Sequence, residues 1–394
     1  MDEELEQELI ERVKKDPFSL KHIKDQTEQV CLNAVSQNGL VLLFVKDQTE
    51  AVCLAAVNNN GYAMQYVKDK TNAVCLAAVN QNRFALKYID DQTEEICLAA
   101  VNHSALAIEY VKDQTEEICL KSVRRTPYTL EYIRNQTEKI CLEAVSTDGL
   151  TLEYVKDQTE ELCLIAVKQN GRALEYVKYQ TEDICLAAVK QNGHALEYVK
   201  DQTEELCLNA VKQNGLALSY VKYQTKEICL EAVKRTGIVL MHVKNKTPEI
   251  CLAAVKQNGL SLRYVKHQNE KICLEAVKQD PYAIDYVKHQ TKSICLETVK
   301  SNGLCLELVK DQTEEICLEA IKQNAYARRY ADVNKLQIAL LVLNVSLKNE
   351  DKVILNKIIK IHGEDKEILD FYTKHKLWKY VDISNNLTHY GMIL

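Results

Sequence analysis

Apolar side chains in this chain follow a pattern that repeats every 22 residues from near its start to about residue 330, as in Thr203 to Gln224, TEELCLNAVKQNGLALSYVKYQ. Counting each unit from its Thr, positions 4, 5, 6, 8 and 9, for example Ile184, Cys185, Leu186, Ala188 and Val189, cover about 200° of a helical wheel. That arc is wider than a surface helix needs and predicts a helix packed on two sides. Positions 15, 16 and 19, such as Ala195, Leu196 and Val199, predict the buried face of a second helix. Position 8 is nearly always Ala, with Ser122 and Thr298 as exceptions, which predicts a close approach of neighbouring helices.

Polar residues mark where these helices begin. Position 1 is Thr in every regular unit except at Asn269, and acidic residues such as Glu94 and Glu95 follow it. A Thr or Asn oxygen accepts from the free N–H groups of a first helical turn, whose dipole favours negative charge. Pro248, directly after Thr247, suits the first helical position, where no N–H is needed. Position 12 is Asn, Asp, Ser or Thr throughout, as at Asn38, Ser104, Thr126, Asp148 and Thr236, and predicts a second N-cap. Position 13 is mostly Gly but becomes Pro127 and Pro281, which an obligatory left-handed C-cap would not accept. Each unit therefore reads as a hairpin of two helices of roughly 8 to 10 residues, shorter than the ~12–15 a lone helix needs in water. Stacking has to hold them.

The expected fold is all-α: an α-solenoid of about 15 stacked 22-residue helix-turn-helix repeats with N- and C-terminal capping helices. Residues 1–26 read as a degenerate N-terminal capping repeat, in which polar Glu8 and Arg12 replace the usual Ile and Ala. Residues 27–334 hold fourteen regular repeats, and 335–394, with the only tryptophan, Trp378, read as a C-terminal helical cap. The chain is 46% hydrophobic and 27% charged with a formal net charge of −6, which argues against a general polyanion binder. No apolar run reaches the ~18 residues of a membrane span. The acidic N-terminus has no signal-peptide apolar region, so a cytoplasmic location is expected, in a host cytoplasm if the chain is viral.

Chemistry is scarce. Fourteen of the 15 cysteines form a ladder at 22-residue intervals from Cys31 to Cys317, with Cys305 alone off it. Equivalent residues in stacked units lie roughly 9–10 Å apart, whereas a disulfide needs Cα atoms within ~7 Å and zinc needs ligands at ~2.0–2.3 Å. The ladder reads as reduced, buried thiols acting as small hydrophobes. Histidine spacing offers no metal motif, and nine of the eleven glycines occupy position 13 rather than a phosphate loop. No nucleophile stands in an activating setting. The chain is expected to be non-enzymatic, with no cofactor, no metal and no catalytic residue.

What remains is the surface. Positions 3, 7 and 10 of the first helix predict an exposed stripe, and position 18 of the second is Tyr in eleven units. Residues that vary from unit to unit mark where recognition could be written: Lys121, Arg124, Tyr132, Ile165, Arg172 and His194 are the partner-binding candidates. The consensus wording AVKQNGLALEYVKDQTEEICLEAV resembles a tandem 22-residue repeat family of unknown function found in giant DNA viruses of amoebae and some amoeba-associated bacteria, over roughly residues 16–330. The resemblance implies a repeat fold and brings no established activity, so it implies no site residues. The expected role is a monomeric scaffold for protein-protein interaction, in a viral or host setting. Alternatives are a nucleic-acid-binding solenoid using the Tyr ladder, with a nucleic-acid partner less expected, or a self-associating structural or virion protein.

Overall fold

A computed structural model describes residues 3–331, and the expected cap at 335–394, with Trp378, lies outside them. Among the described residues, fifteen α-helices alternate with fifteen 3-10 helices and there is no strand. The chain divides into two compact units, one ending at Asp201 and the other starting at Gln202. The first opens on the α-helix Glu3–Lys15 and runs to the 3-10 helix Gly193–Tyr198; the second runs from the α-helix Glu204–Gln213 to the 3-10 helix Ala325–Arg329. Within each, every α-helix packs on the next α-helix and every 3-10 helix on the next 3-10 helix, with the two layers in contact. Each is thus a stretch of α-solenoid.

The caps explain the local structure. Thr27 is extended (φ −81°, ψ 159°) and its Oγ1 accepts from the Val30 N–H at 3.3 Å. The same kind of hydroxyl also reaches back one repeat: Thr49 donates to Glu28 at 2.6 Å. Asn38 at position 12 is extended as well (φ −147°, ψ 105°), ends the α-helix Glu28–Gln37 and caps the 3-10 helix Gly39–Phe44 by accepting from the Leu40 N–H at 3.1 Å. Ser104, Thr126 and Thr236 make no such side-chain cap. Their hydroxyls sit one bond closer to the backbone than an Asn or Asp oxygen, a shorter reach toward the N–H two residues on.

The second helix is shorter and tighter than expected: six residues of 3-10 rather than 8 to 10 of α. Position 19 is extended again, as at Val45 (φ −74°, ψ 123°), so only positions 13 to 18 lie between two extended caps. Six residues advance ~12 Å as a 3-10 helix but only ~9 Å as an α-helix, and the tighter winding comes nearer to spanning the ~15 Å of its ten-residue partner.

Burial follows the predicted core at positions 4, 5, 8, 9, 15, 16 and 19, for example Ile184, Cys185, Ala188, Val189, Ala195, Leu196 and Val199. Position 6 departs from it. Leu186 is only half-buried, because 4, 5, 8 and 9 already complete the face toward the 3-10 layer; Leu120 alone at this position is buried. All 15 cysteines are free and buried, Cys305 included. Glu8 and Arg12 on the first helix are exposed.

Where position 13 is Gly, it serves close approach rather than a left-handed backbone. A Cβ on Gly149 would lie 2.3 Å from the Ala166 carbonyl oxygen of the next repeat, whose Gln169 accepts from the Gly149 N–H at 2.9 Å. Where Pro127 and Pro281 remove that N–H, the residue in the place of Gln169 is Thr147 and Ser301. Gly149→Ala is expected to cost about 1–3 kcal/mol by forcing two repeats apart, read as a lower urea midpoint. An unchanged midpoint would show that the stack yields freely there.

Candidate interaction surface

The two layers bury their facing sides against each other, so the molecule presents an α-helical surface and a 3-10 surface. The six candidates divide between them. Lys121 and Ile165 (position 7) and Arg124 (position 10) lie on the α-helices Glu116–Arg125 and Glu160–Gln169. Tyr132, Arg172 and His194 lie on the 3-10 helices Pro127–Tyr132, Gly171–Tyr176 and Gly193–Tyr198. They form two groups on two layers rather than one site.

On the α-helical side the expected stripe at positions 3, 7 and 10 breaks up. Positions 3 and 10 are exposed, but position 7 is half-buried, Lys121 and Ile165 among them. It sits against the neighbouring repeat: Arg124 pairs with Glu143, position 7 of the next helix, at 3.2 Å. Both side chains keep substantial solvent contact, so the pair is worth at most about 1 kcal/mol. A depression of about 460 Å³ here is lined only by residues of the helix Glu138–Thr147 and encloses nothing.

The 3-10 side is more ordered. Tyrosine at position 18 follows glutamate at position 17 in five successive repeats, from Glu109–Tyr110 to Glu197–Tyr198. The carboxylates are exposed and the rings half-buried. Glu153 lies beside the rings of two repeats: burial and then Glu153 and Glu131 push the Tyr154 phenol up, and burial with Glu153 and Glu175 does the same for Tyr176. These two phenols therefore stay neutral at physiological pH. Position 14 packs onto this row, with Tyr128 edge-to-face on Tyr154 at 6.1 Å and its hydroxyl donating to Asp148 at 2.8 Å. The Arg172 guanidinium lies beside the Tyr198 hydroxyl of the next repeat, close to Glu175. Position-by-position reading passes over the glutamates. Their signal, the recurring Glu-Tyr dipeptide, becomes meaningful only once position 17 is known to point outward.

A second ladder escaped the sequence reading altogether. Position 22 is Gln in most repeats, and Gln158 shows its use: its Nε2 donates to the Leu152 carbonyl (3.3 Å) and to the Tyr176 carbonyl of the next repeat (2.9 Å). Its Oε1 accepts from the Lys178 N–H at 3.0 Å and from the Cys163 thiol at 3.8 Å. One amide thus ties the loop, the next 3-10 helix and the next α-helix. Lysines at position 20 add a clasp of their own, as where Lys178 Nζ donates to the Lys156 carbonyl at 2.6 Å. Where Lys70 replaces the Gln, Asp90 replaces the next lysine and pairs with it at 3.0 Å. Among the described residues no group of three or more His, Cys, Asp or Glu could hold a metal ion, and no helix is long and apolar enough to cross a membrane.

A sequence profile described as Domain of unknown function (DUF4116) matches eight overlapping segments, 137–181, 159–204, 181–226, 203–246, 225–268, 247–292, 269–312 and 291–337. Successive matches are offset by one repeat and each spans two, so the profile describes a neighbouring pair. Together they cover half of the chain. No curated protein matches the sequence.

Proposed function

Since this chain belongs to the DUF4116 family, a repeat family without an assigned function, we propose that it is a non-enzymatic scaffold that holds a protein partner along the 3-10 surface of its first unit. The single observation that carries this reading is the row of five successive Glu-Tyr pairs. Buried positions repeat because they hold the stack together, whereas position 17 is exposed, and outside these five repeats it is Leu43, Gln65, Lys87, Ser219, Met241, Arg263, Asp285, Glu307 or Arg329. Its constancy over five repeats beside half-buried rings fits selection for an extended contact, in which amphipathic tyrosines serve as anchors. The carboxylates oppose a phosphate backbone, so the nucleic-acid alternative loses support on this surface. In keeping with the resemblance to virus-borne arrays, the partner is a host or viral protein met in the cytoplasm.

The test is affinity capture with the full chain from host lysate, with and without nuclease, followed by mass spectrometry. Reversing the row with Glu131→Lys, Glu153→Lys and Glu175→Lys should abolish capture of the specific partner while circular dichroism and melting stay unchanged. Replacing Lys121 and Ile165 with alanine should leave capture intact. Capture that survives the first set and fails with the second moves the site to the α-helical surface; capture lost with nuclease removes the protein scaffold reading.

A further inference from the structure

Resting on that reading of the 3-10 surface, we infer that the partner segment is an extended, proline-rich, cationic polypeptide with a lysine or arginine at every third residue. The argument begins with spacing. Neighbouring packed helices lie roughly 8–10 Å apart, so the Glu-Tyr pairs form a row with about that period. A polyproline II chain has three residues per turn and rises ~3.1 Å per residue, which returns a side chain to the same side every ~9.3 Å. A β-strand does not match, because its third residue points to the opposite face.

Chemistry narrows the occupant further. A row of half-buried tyrosines matches the aromatic-lined grooves in which the prolines of polyproline II segments dock. The exposed carboxylates of Glu131 and Glu153, each beside Tyr154, select a basic side chain at the recurring position. The chain itself shows how a cation sits there. Arg172 places its guanidinium at the Tyr198 hydroxyl with Glu175 and Tyr176 close by. In the second unit Arg263 lies over the Tyr264 ring, 4.5 Å from its centroid. An incoming arginine or lysine would repeat this arrangement beside Tyr132 and Tyr176, whereas Tyr128 already packs on Tyr154 and Arg172 fills the place beside Tyr198.

The experiment uses the full chain and three synthetic 15-residue peptides labelled for fluorescence anisotropy. One has the repeat Lys-Pro-Pro, one has the same composition with its lysines grouped at one end, and one is a helix former with lysine every seventh residue. The Lys-Pro-Pro peptide should bind most tightly and weaken as salt rises. Glu131→Gln, Glu153→Gln and Glu175→Gln together should weaken it about tenfold, the effect of three solvent-exposed charge contacts. Arg172→Ala should tighten binding, because it vacates one place in the row; a merely structural role for Arg172 would not do so. Equal binding of the grouped-lysine peptide, preference for the helical peptide, or indifference to the glutamine variants overturns the inference. If none of the peptides binds but lysate capture still depends on Glu131, Glu153 and Glu175, the scaffold reading stands and the cationic, threefold-spaced partner is wrong.

Discussion

Replacing Gln158 with leucine is expected to lower the unfolding free energy by about 2–4 kcal/mol, far more than its partly exposed position would suggest. The amide makes four contacts: to the carbonyls of Leu152 and Tyr176, from the Lys178 N–H, and from the Cys163 thiol. Leucine removes the partner of all four at once. Three of these groups are on the backbone, and a leucine in the same space keeps water from replacing the amide. Gln158→Glu should also destabilise, because a carboxylate can accept from Lys178 but cannot donate to two carbonyls. Gln158→Lys should be the mildest, since Lys70 and Lys246 occupy this place naturally; Lys246 Nζ donates to the Val243 carbonyl at 2.7 Å. Urea unfolding of the three variants checks the order. A loss under about 1 kcal/mol for the leucine variant would mean the ladder only decorates a stack held by apolar contacts.

The second large effect is alkaline. Burial pushes the thiols of Cys31, Cys97 and Cys119 up to about 11, and that of Cys305 likewise. The other ladder cysteines from Cys53 to Cys295 are raised in the same direction by the same cause. Nearby carboxylates add to it at Cys31, through Asp47 and Glu28. A thiolate there would also lose its donated bond and face a carbonyl-type oxygen, as Cys163 faces Gln158 Oε1. In the unfolded chain these thiols ionise near the reference value of 9.0. Between that value and about 11 the unfolded state holds fewer protons than the folded one, so stability is complete below pH ~9 and falls as pH rises through the folded value. Each of these four thiols contributes a slope of up to about 1.4 kcal/mol per pH unit in that window, and the other raised thiols add to it in the same direction. The melting temperature should therefore hold steady from pH 7 to 8.5 and collapse between about 9 and 11. Labelling by a thiol reagent at pH 8 should be slow for the native protein and fast in denaturant. A flat melting curve through pH 10.5, or rapid native labelling, would contradict a sealed ladder.

The proposed binding row shows why function was harder to read than architecture. Lys121, Arg124 and Ile165 drew attention because they vary, and the fold sets them on the α-helical side, away from Tyr132, Arg172 and His194. Variation along a sequence carries no information about which residues share a surface. The glutamates at position 17 were hidden for the opposite reason, since a charged residue beside a helix reads as ordinary solvation until the tyrosines of two adjacent repeats are seen on either side of it.

From its sequence alone this protein declares its period, its caps and its core. Each of these follows from a local property: whether a residue avoids water, as at Cys185 and Ala188, or offers an oxygen to a free N–H, as at Thr27 and Asn38. Tertiary structure alone decided the rest. The 3-10 winding of the second helix came from the length left between two extended caps. The clasp at Gln158 and the pairing of Gly149 with Gln169 join residues 18 to 20 positions apart. Such bonds exist only after one repeat has been laid on the next, and a polar side chain that will be half-buried between repeats looks in the sequence like any other polar side chain.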